Sequence, residues 1–121
     1  MGNRRRISNY RRGVWAEWVA LLWLMLQGYW PVARRYKTKV GEIDLILRRG
    51  NQLVFVEVKA RAVMAEAAGA IRAASQARIA RAAEWFLQAH PAYQAYAPRF
   101  DAVLLARGTW PQHLVNAFAL R

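Results

Sequence analysis

Two short β-type runs separated by four turn residues constrain this chain more than any other feature. Residues 42 to 48 read Glu-Ile-Asp-Leu-Ile-Leu-Arg, and residues 53 to 59 read Leu-Val-Phe-Val-Glu-Val-Lys. Between them, Arg49-Gly50-Asn51-Gln52 is rich in turn formers, so the two runs are expected to pair as a β-hairpin. The second run is wholly apolar up to Glu57, as a central strand packed on both faces would be. A strand of that kind needs a layer over each face, which favours an α/β sandwich.

The flanking segments supply those layers. Val14 to Gln27 is expected to be a helix, closed by Gly28 where a left-handed residue is favoured. It has no polar face, so amphipathicity does not say which side is buried or where Glu17 points. Two readings stay open: a homodimer contact through Trp15, Trp18 or Trp23, or a helix central to its own small core. Tyr29 to Tyr36 is expected as a short strand that Pro31 confines to an edge or to its first turn. Ala65 to Gln88 reads mostly as helix, with a stripe through Ile71, Ile79, Ala82, Ala83 and Phe86. Gly69 is a candidate for its true start, and His90-Pro91 ends it. Arg99 to Leu105 is expected as a fourth strand reached by the helical crossover, and His113 to Leu120 as a candidate fifth. The order gives an α/β fold with an αβββαβ core, a mixed sheet flanked by helices. Residues 1–13 are expected to be a basic arm, disordered when free, and residues 14–121 a single domain.

Charge narrows the partners. Nineteen basic residues against seven acidic give +12, and sixteen of the nineteen are Arg. A field of that size favours a polyanion, and Arg suits bidentate phosphate contact, so nucleic acid is the expected partner. Arg34, Arg35, Lys37 and Lys39 form the best basic patch. There is no Cys, which excludes a disulfide framework, a cysteine zinc site and a Cys nucleophile, and fits a reducing, cytoplasmic location. The apolar stretch from Val14 to Leu26 covers thirteen residues, against roughly 20 needed for a span. It also contains Glu17, so neither a membrane segment nor a signal peptide is expected. In so apolar a chain most of the six Trp are expected in the core.

The hairpin also carries the chemistry. Side chains alternate along a strand, so Glu57 and Lys59 share a face about 7 Å apart, with Val54, Val56 and Val58 on the other. An acid-x-Lys triplet arises by accident in roughly one such chain in six, and is weak alone. The neighbouring strand strengthens it. Strict alternation puts Glu42 and Asp44 on one face and Ile43, Leu45 and Leu47 on the other. Across a short hairpin, Asp44 comes beside Glu57 if the register is right. Two carboxylates that close repel, and Mg²⁺ (or Mn²⁺) is the natural relief, held by Asp44, Glu57 and the carbonyl of Val58. Such a site suits phosphodiester hydrolysis, with Lys59 handling the water or the transition-state charge and Glu17 completing the ion's surroundings. Asp101 is expected to be a structural partner of Arg99 or the backbone, and His90 and His113 to be structural or exposed.

Four segments together resemble the YraN-like uncharacterised protein family: Gly-Glu-Ile-Asp-Leu-Ile at 41–46, Val-Phe-Val-Glu-Val-Lys at 54–59, Ala16-Glu17 on the upstream helix, and Arg99-Phe100-Asp101. That family is similar to archaeal Holliday-junction resolvases and is placed with the PD-(D/E)XK nucleases. The resemblance runs from about Arg12 to Leu120. It implies a restriction-endonuclease-like core and a divalent-metal site at Glu17, Asp44, Glu57 and Lys59, with Gln76 as a polar neighbour. Ile43 replaces the Pro of the superfamily's name. Ser75 stands where relatives usually carry Lys, and Ala77 where they often carry a basic residue, which weakens substrate contacts from that helix. The expected function is a metal-dependent endonuclease on branched or otherwise structured nucleic acid, DNA rather than RNA. The alternative is a non-catalytic nucleic-acid-binding module of the same fold, acting in repair or recombination.

Overall fold

Gly28 sets where the first helix stops. In the computed structural model it adopts φ 91°, a left-handed conformation that costs a glycine nothing, and Tyr29 N–H turns back to the carbonyl of Leu24. The structure describes the backbone of residues 2–118 and the side chains of residues 13–118. Helix α1 spans Gly2–Met25, so it begins well before the expected Val14. Residues 3–12 contain no Pro or Gly and five Arg, and Arg is a good helix former. The basic arm expected to be disordered over residues 1–13 is described only as helical backbone from Gly2, with Met1 and the side chains of residues 1–12 outside the described residues.

The remaining elements follow as β1 (Trp30–Lys37), β2 (Glu42–Arg49), β3 (Gln52–Arg61), α2 (Met64–Gly69), α3 (Ala73–Ala89), β4 (Ala97–Ala106) and β5 (Gln112–Leu114). They build one five-stranded sheet in the order β1-β2-β3-β4-β5. The β1–β2, β2–β3 and β4–β5 pairs are antiparallel, whereas β3–β4 is parallel. The sheet is therefore mixed, with the hairpin at its centre and the helical crossover between β3 and β4. Pro31 does lie on an edge strand, beside a register shift between Pro31 and Ala33, where its missing N–H leaves no ladder bond unmade.

Two expectations about the helices need correction. The segment after β3 is not one helix: α2 ends at Gly69, and Arg72 is extended at φ −118°, ψ 151° before α3 begins. A glycine interior costs about 1 kcal/mol in a helix, and here the chain breaks at it, leaving Ile71 in the link rather than on the stripe. The expected strand from His113 is shorter, ending at Leu114, and its last expected residues lie outside the described range.

A core lies on each face of the sheet. On one, Ala16, Ala20 and Leu24 of α1 pack against Leu45, Leu47, Val54 and Val56. On the other, Ile79, Ala82, Ala83 and Phe86 of α3 pack against Ile43, Ile46, Leu53 and Phe55. Each fully buried large side chain contributes about 1.5–3 kcal/mol by leaving water. The tryptophans do not supply this core, contrary to expectation. Trp15, Trp18, Trp30, Trp85 and Trp110 are all exposed. For Trp15 and Trp18 the cause is the small-residue spacing on α1: Ala16 and Ala20 let the helix lie close on the sheet, and an indole at either place would hold it off.

Candidate functional site

The ladder between β2 and β3 is regular from Arg49↔Gln52 to Leu45↔Val56 and then stops. Beyond that point β2 stays paired with β1, through Ile43↔Tyr36 and Glu42↔Lys37. At the parting, the Asp44 carboxylate takes over a backbone role. Val58 N–H donates to Asp44 Oδ2 at 2.8 Å, a bond that a continued ladder would have given to the backbone of β2. The strict alternation expected along β2 therefore fails here. Ile43 joins the α3-side core, while Leu45 and Leu47 join the α1-side core. Two approaching surfaces shape this bend. Thr38 Oγ1 donates to the Gly41 carbonyl at 2.8 Å. A Cβ on Gly41 would stand 2.5 Å from the Arg78 carbonyl of α3, so only glycine fits without a shift.

The parted strands and the first helix enclose a cleft of about 530 Å³, lined by Gly13, Ala16 and Glu17 of α1, Asp44 of β2, and Val58, Lys59, Ala60 and Arg61 of β3. Glu57 is not among its lining residues. It is 5% exposed, with Oε1 3.2 Å from Lys59 Nζ and Oε2 buried without any hydrogen-bond partner. Burial pushes the Asp44 carboxyl up to about 6, against the Val58 N–H, and the charges of Glu17 and Glu57 push it the same way while Lys59 opposes them. Asp44 thus feels the charge of Glu17, Glu57 and Lys59.

Glu17 is less available than expected. Its Oε2 lies 3.3 Å from Arg34 and 3.4 Å from Arg35. Burial raises its pKa, and the two guanidiniums oppose that rise. Arg35 sits at φ 54°, a left-handed backbone that costs a non-glycine residue about 1–2 kcal/mol; it aims the guanidinium at Glu17. Arg34 also lies 4.4 Å over the Trp18 ring. Half of the expected phosphate patch is therefore engaged within the protein. Lys37 and Lys39 are exposed at the end of β1 and in the turn after it. Gln76 is half-buried in α3 and does not line the cleft. Arg61 does, and sequence reasoning passed over it, although the spacing that selected Glu57 and Lys59 continues to residue 61.

The second polar cluster is structural. Asp101, fully buried, accepts from Arg99 Nε at 2.9 Å and from Asn116 N–H at 2.9 Å, and lies 2.7 Å from His113 Nε2. Burial raises its pKa, but the bonds from His113, Arg99 and Asn116 outweigh it and hold the carboxyl below its usual range. Arg99 also reaches Tyr29 Oη at 2.6 Å. His90 Nδ1 meets the Phe86 carbonyl at 2.9 Å. Both histidines are thus structural, as is Asp101.

Could the cleft residues hold a cation? Among the described residues, no three of His, Asp or Glu group closely enough to do so. Two carboxylates do fit what Mg²⁺ needs, since that ion keeps several waters and uses one or two acids. The unpartnered Oε2 of Glu57 is the specific observation in favour, because a buried carboxylate oxygen without a donor is costly unless a cation supplies the charge.

The class so defined is a mixed α/β domain bearing an acidic, lysine-containing cleft where its central hairpin parts. The chain belongs to the uncharacterised protein family UPF0102, the YraN-like family its motifs resemble, whose profile matches residues 16–105. It is 52% identical to a UPF0102 protein of Methylorubrum extorquens strain PA1 over 119 residues, 98% of this chain and 92% of the relative. A UPF0102 protein of Rhodopseudomonas palustris strain BisB18 is 49% identical over 113 residues, 93% of this chain and 84% of the relative. One from Chelativorans sp. strain BNC1 is 43% identical over 124 residues, 100% of each chain. No described helix is long and apolar enough to cross a membrane.

Proposed function

We propose that this protein is a divalent-metal-dependent endonuclease of the PD-(D/E)XK type, hydrolysing phosphodiester bonds in structured DNA. The observation that carries this reading is Glu57. Its Oε2 is buried with no donor beside an Asp44 that already resists ionisation, an arrangement that a cation would relieve. Asp44, Glu57 and the Val58 carbonyl would hold Mg²⁺ or Mn²⁺. When bound, the ion supplies positive charge at the phosphodiester and eases deprotonation of a water near neutral pH.

The chain's own residues do the rest. Lys59, 3.2 Å from Glu57 Oε1, is held at the cleft as a fixed positive charge, able to orient a water or meet the charge developing on phosphate oxygens. Arg61, lining the same cleft, adds a phosphate contact. Asp44 must be ionised to bind a cation, so its elevated pKa predicts activity that falls as pH drops through about 6. Glu17, neutralised by Arg34 and Arg35, positions β1 against α1. Lys37 and Lys39 give the exposed part of the DNA surface, and a net charge of +12 supports affinity that falls steeply with salt.

The test is nicking of plasmid and branched DNA in Mg²⁺ or Mn²⁺. Asp44→Ala and Glu57→Ala are expected to abolish cleavage, by at least about 100-fold, while binding persists. If the unaltered protein binds DNA but cleaves no substrate with either metal, the nuclease reading fails and a non-catalytic nucleic-acid-binding module of repair or recombination replaces it.

A further inference from the structure

From Trp15 onward the outward face of α1, continued by Leu26 just past its end, is apolar. Trp15, Trp18, Leu22, Met25 and Leu26 recur at helical spacing with 63%, 51%, 60%, 43% and 75% of their surface exposed. From Val14 to Leu26 the only charged residue is Glu17, and it is buried on another side of the helix. Single exposed leucines need no explanation, but a contiguous stripe marks an interaction surface. The five side chains expose about 600 Å², so two such faces would bury about 1,200 Å², enough for a specific protein–protein contact.

We propose that this face is the interface between two copies of the chain, with α1 packed antiparallel on its mate. The stripe is complementary to itself under a two-fold axis near residues 20 and 21. Such an axis sets Trp15 across from Leu26 and Trp18 across from Leu22, so that each indole meets an aliphatic side chain. Parallel packing would set indole on indole. The contact does not depend on any catalytic role for the cleft.

Sedimentation equilibrium of the full chain tests it. The unaltered protein is expected to dimerise at about 10 µM in moderate salt, and Leu22→Asp to weaken the dimer by at least about 100-fold with an unchanged circular dichroism spectrum. The chain has no cysteine, which permits a test of orientation. Trp15→Cys and Leu26→Cys, oxidised together, are expected to form a disulfide-linked dimer, and each alone to form little. A protein that stays monomeric at about 100 µM overturns the proposal. So does cross-linking of each variant alone at least as complete as in the mixture. Monomers that bind anionic lipid vesicles through this face would assign it to a membrane surface instead.

Discussion

Replacing Asp44 by Asn should make the protein more stable and, on the proposed reading of the cleft, remove a cation ligand. The folded protein raises the Asp44 carboxyl from 3.8 to about 6. Each unit is worth about 1.4 kcal/mol, so the full shift sets an upper bound of about 3 kcal/mol; solvent access to this half-buried group reduces it to about 1–2 kcal/mol. A raised carboxyl means that the folded state holds its proton more tightly than the unfolded state. The ionised form is therefore a destabilising charge above about pH 6, and the penalty shrinks as pH falls, vanishing below the unfolded value. Asn keeps an oxygen to accept from Val58 N–H and carries no charge. In a chelator at pH 7.5, thermal melts should place Asp44→Asn about 4–8 °C above the unaltered protein. At pH 4 the two should nearly coincide. Mg²⁺ at about ten times its dissociation constant should raise only the unaltered protein, by about 1.4 kcal/mol. A variant that melts at or below the unaltered protein at pH 7.5, or a difference that persists at pH 4, would refute this electrostatic account.

Two further substitutions probe the supports of the site. Gly41→Ala brings a Cβ to 2.5 Å from the Arg78 backbone, which cannot rotate away, so urea unfolding should show a loss of about 1–3 kcal/mol and weaker metal binding as β2 shifts. Asp101→Ala leaves the Arg99 guanidinium, 12% exposed, without its carboxylate; a loss of about 3–5 kcal/mol is expected at pH 7 in the same assay. Because the Asp101 pKa lies below its ordinary value, that contribution is present above about pH 4 and fades as pH falls further.

Much of the sheet was legible because its information is local. Val54, Val56 and their neighbours read as a central strand from composition alone, and Pro31 announced an edge. The first helix was legible in existence but not in orientation. A helix apolar on every side has no period to read, so nothing in the sequence showed that Ala16, Ala20 and Leu24 would face the sheet and leave the indoles outside. The break at Gly69 was visible only as an option, since whether a glycine ends a helix depends on what the next residues pack against. At the site, Glu57 and Lys59 followed from a two-residue period. Asp44 followed only in part, because its role depends on where β2 leaves β3, and that is set by the approach of Gly41 to α3. Glu17 was placed on the right helix, yet its capture by Arg34 and Arg35 required the backbone turn at Arg35.

The parting of β2 from β3 carries a consequence for engineering. A designer seeking rigidity would extend the ladder past Leu45, replace Asp44 with a β-branched residue, and let Val58 N–H find a main-chain acceptor. The product would be a better sheet without a cleft, for the gap that such a repair closes is where the Asp44, Lys59 and Arg61 side chains meet solvent.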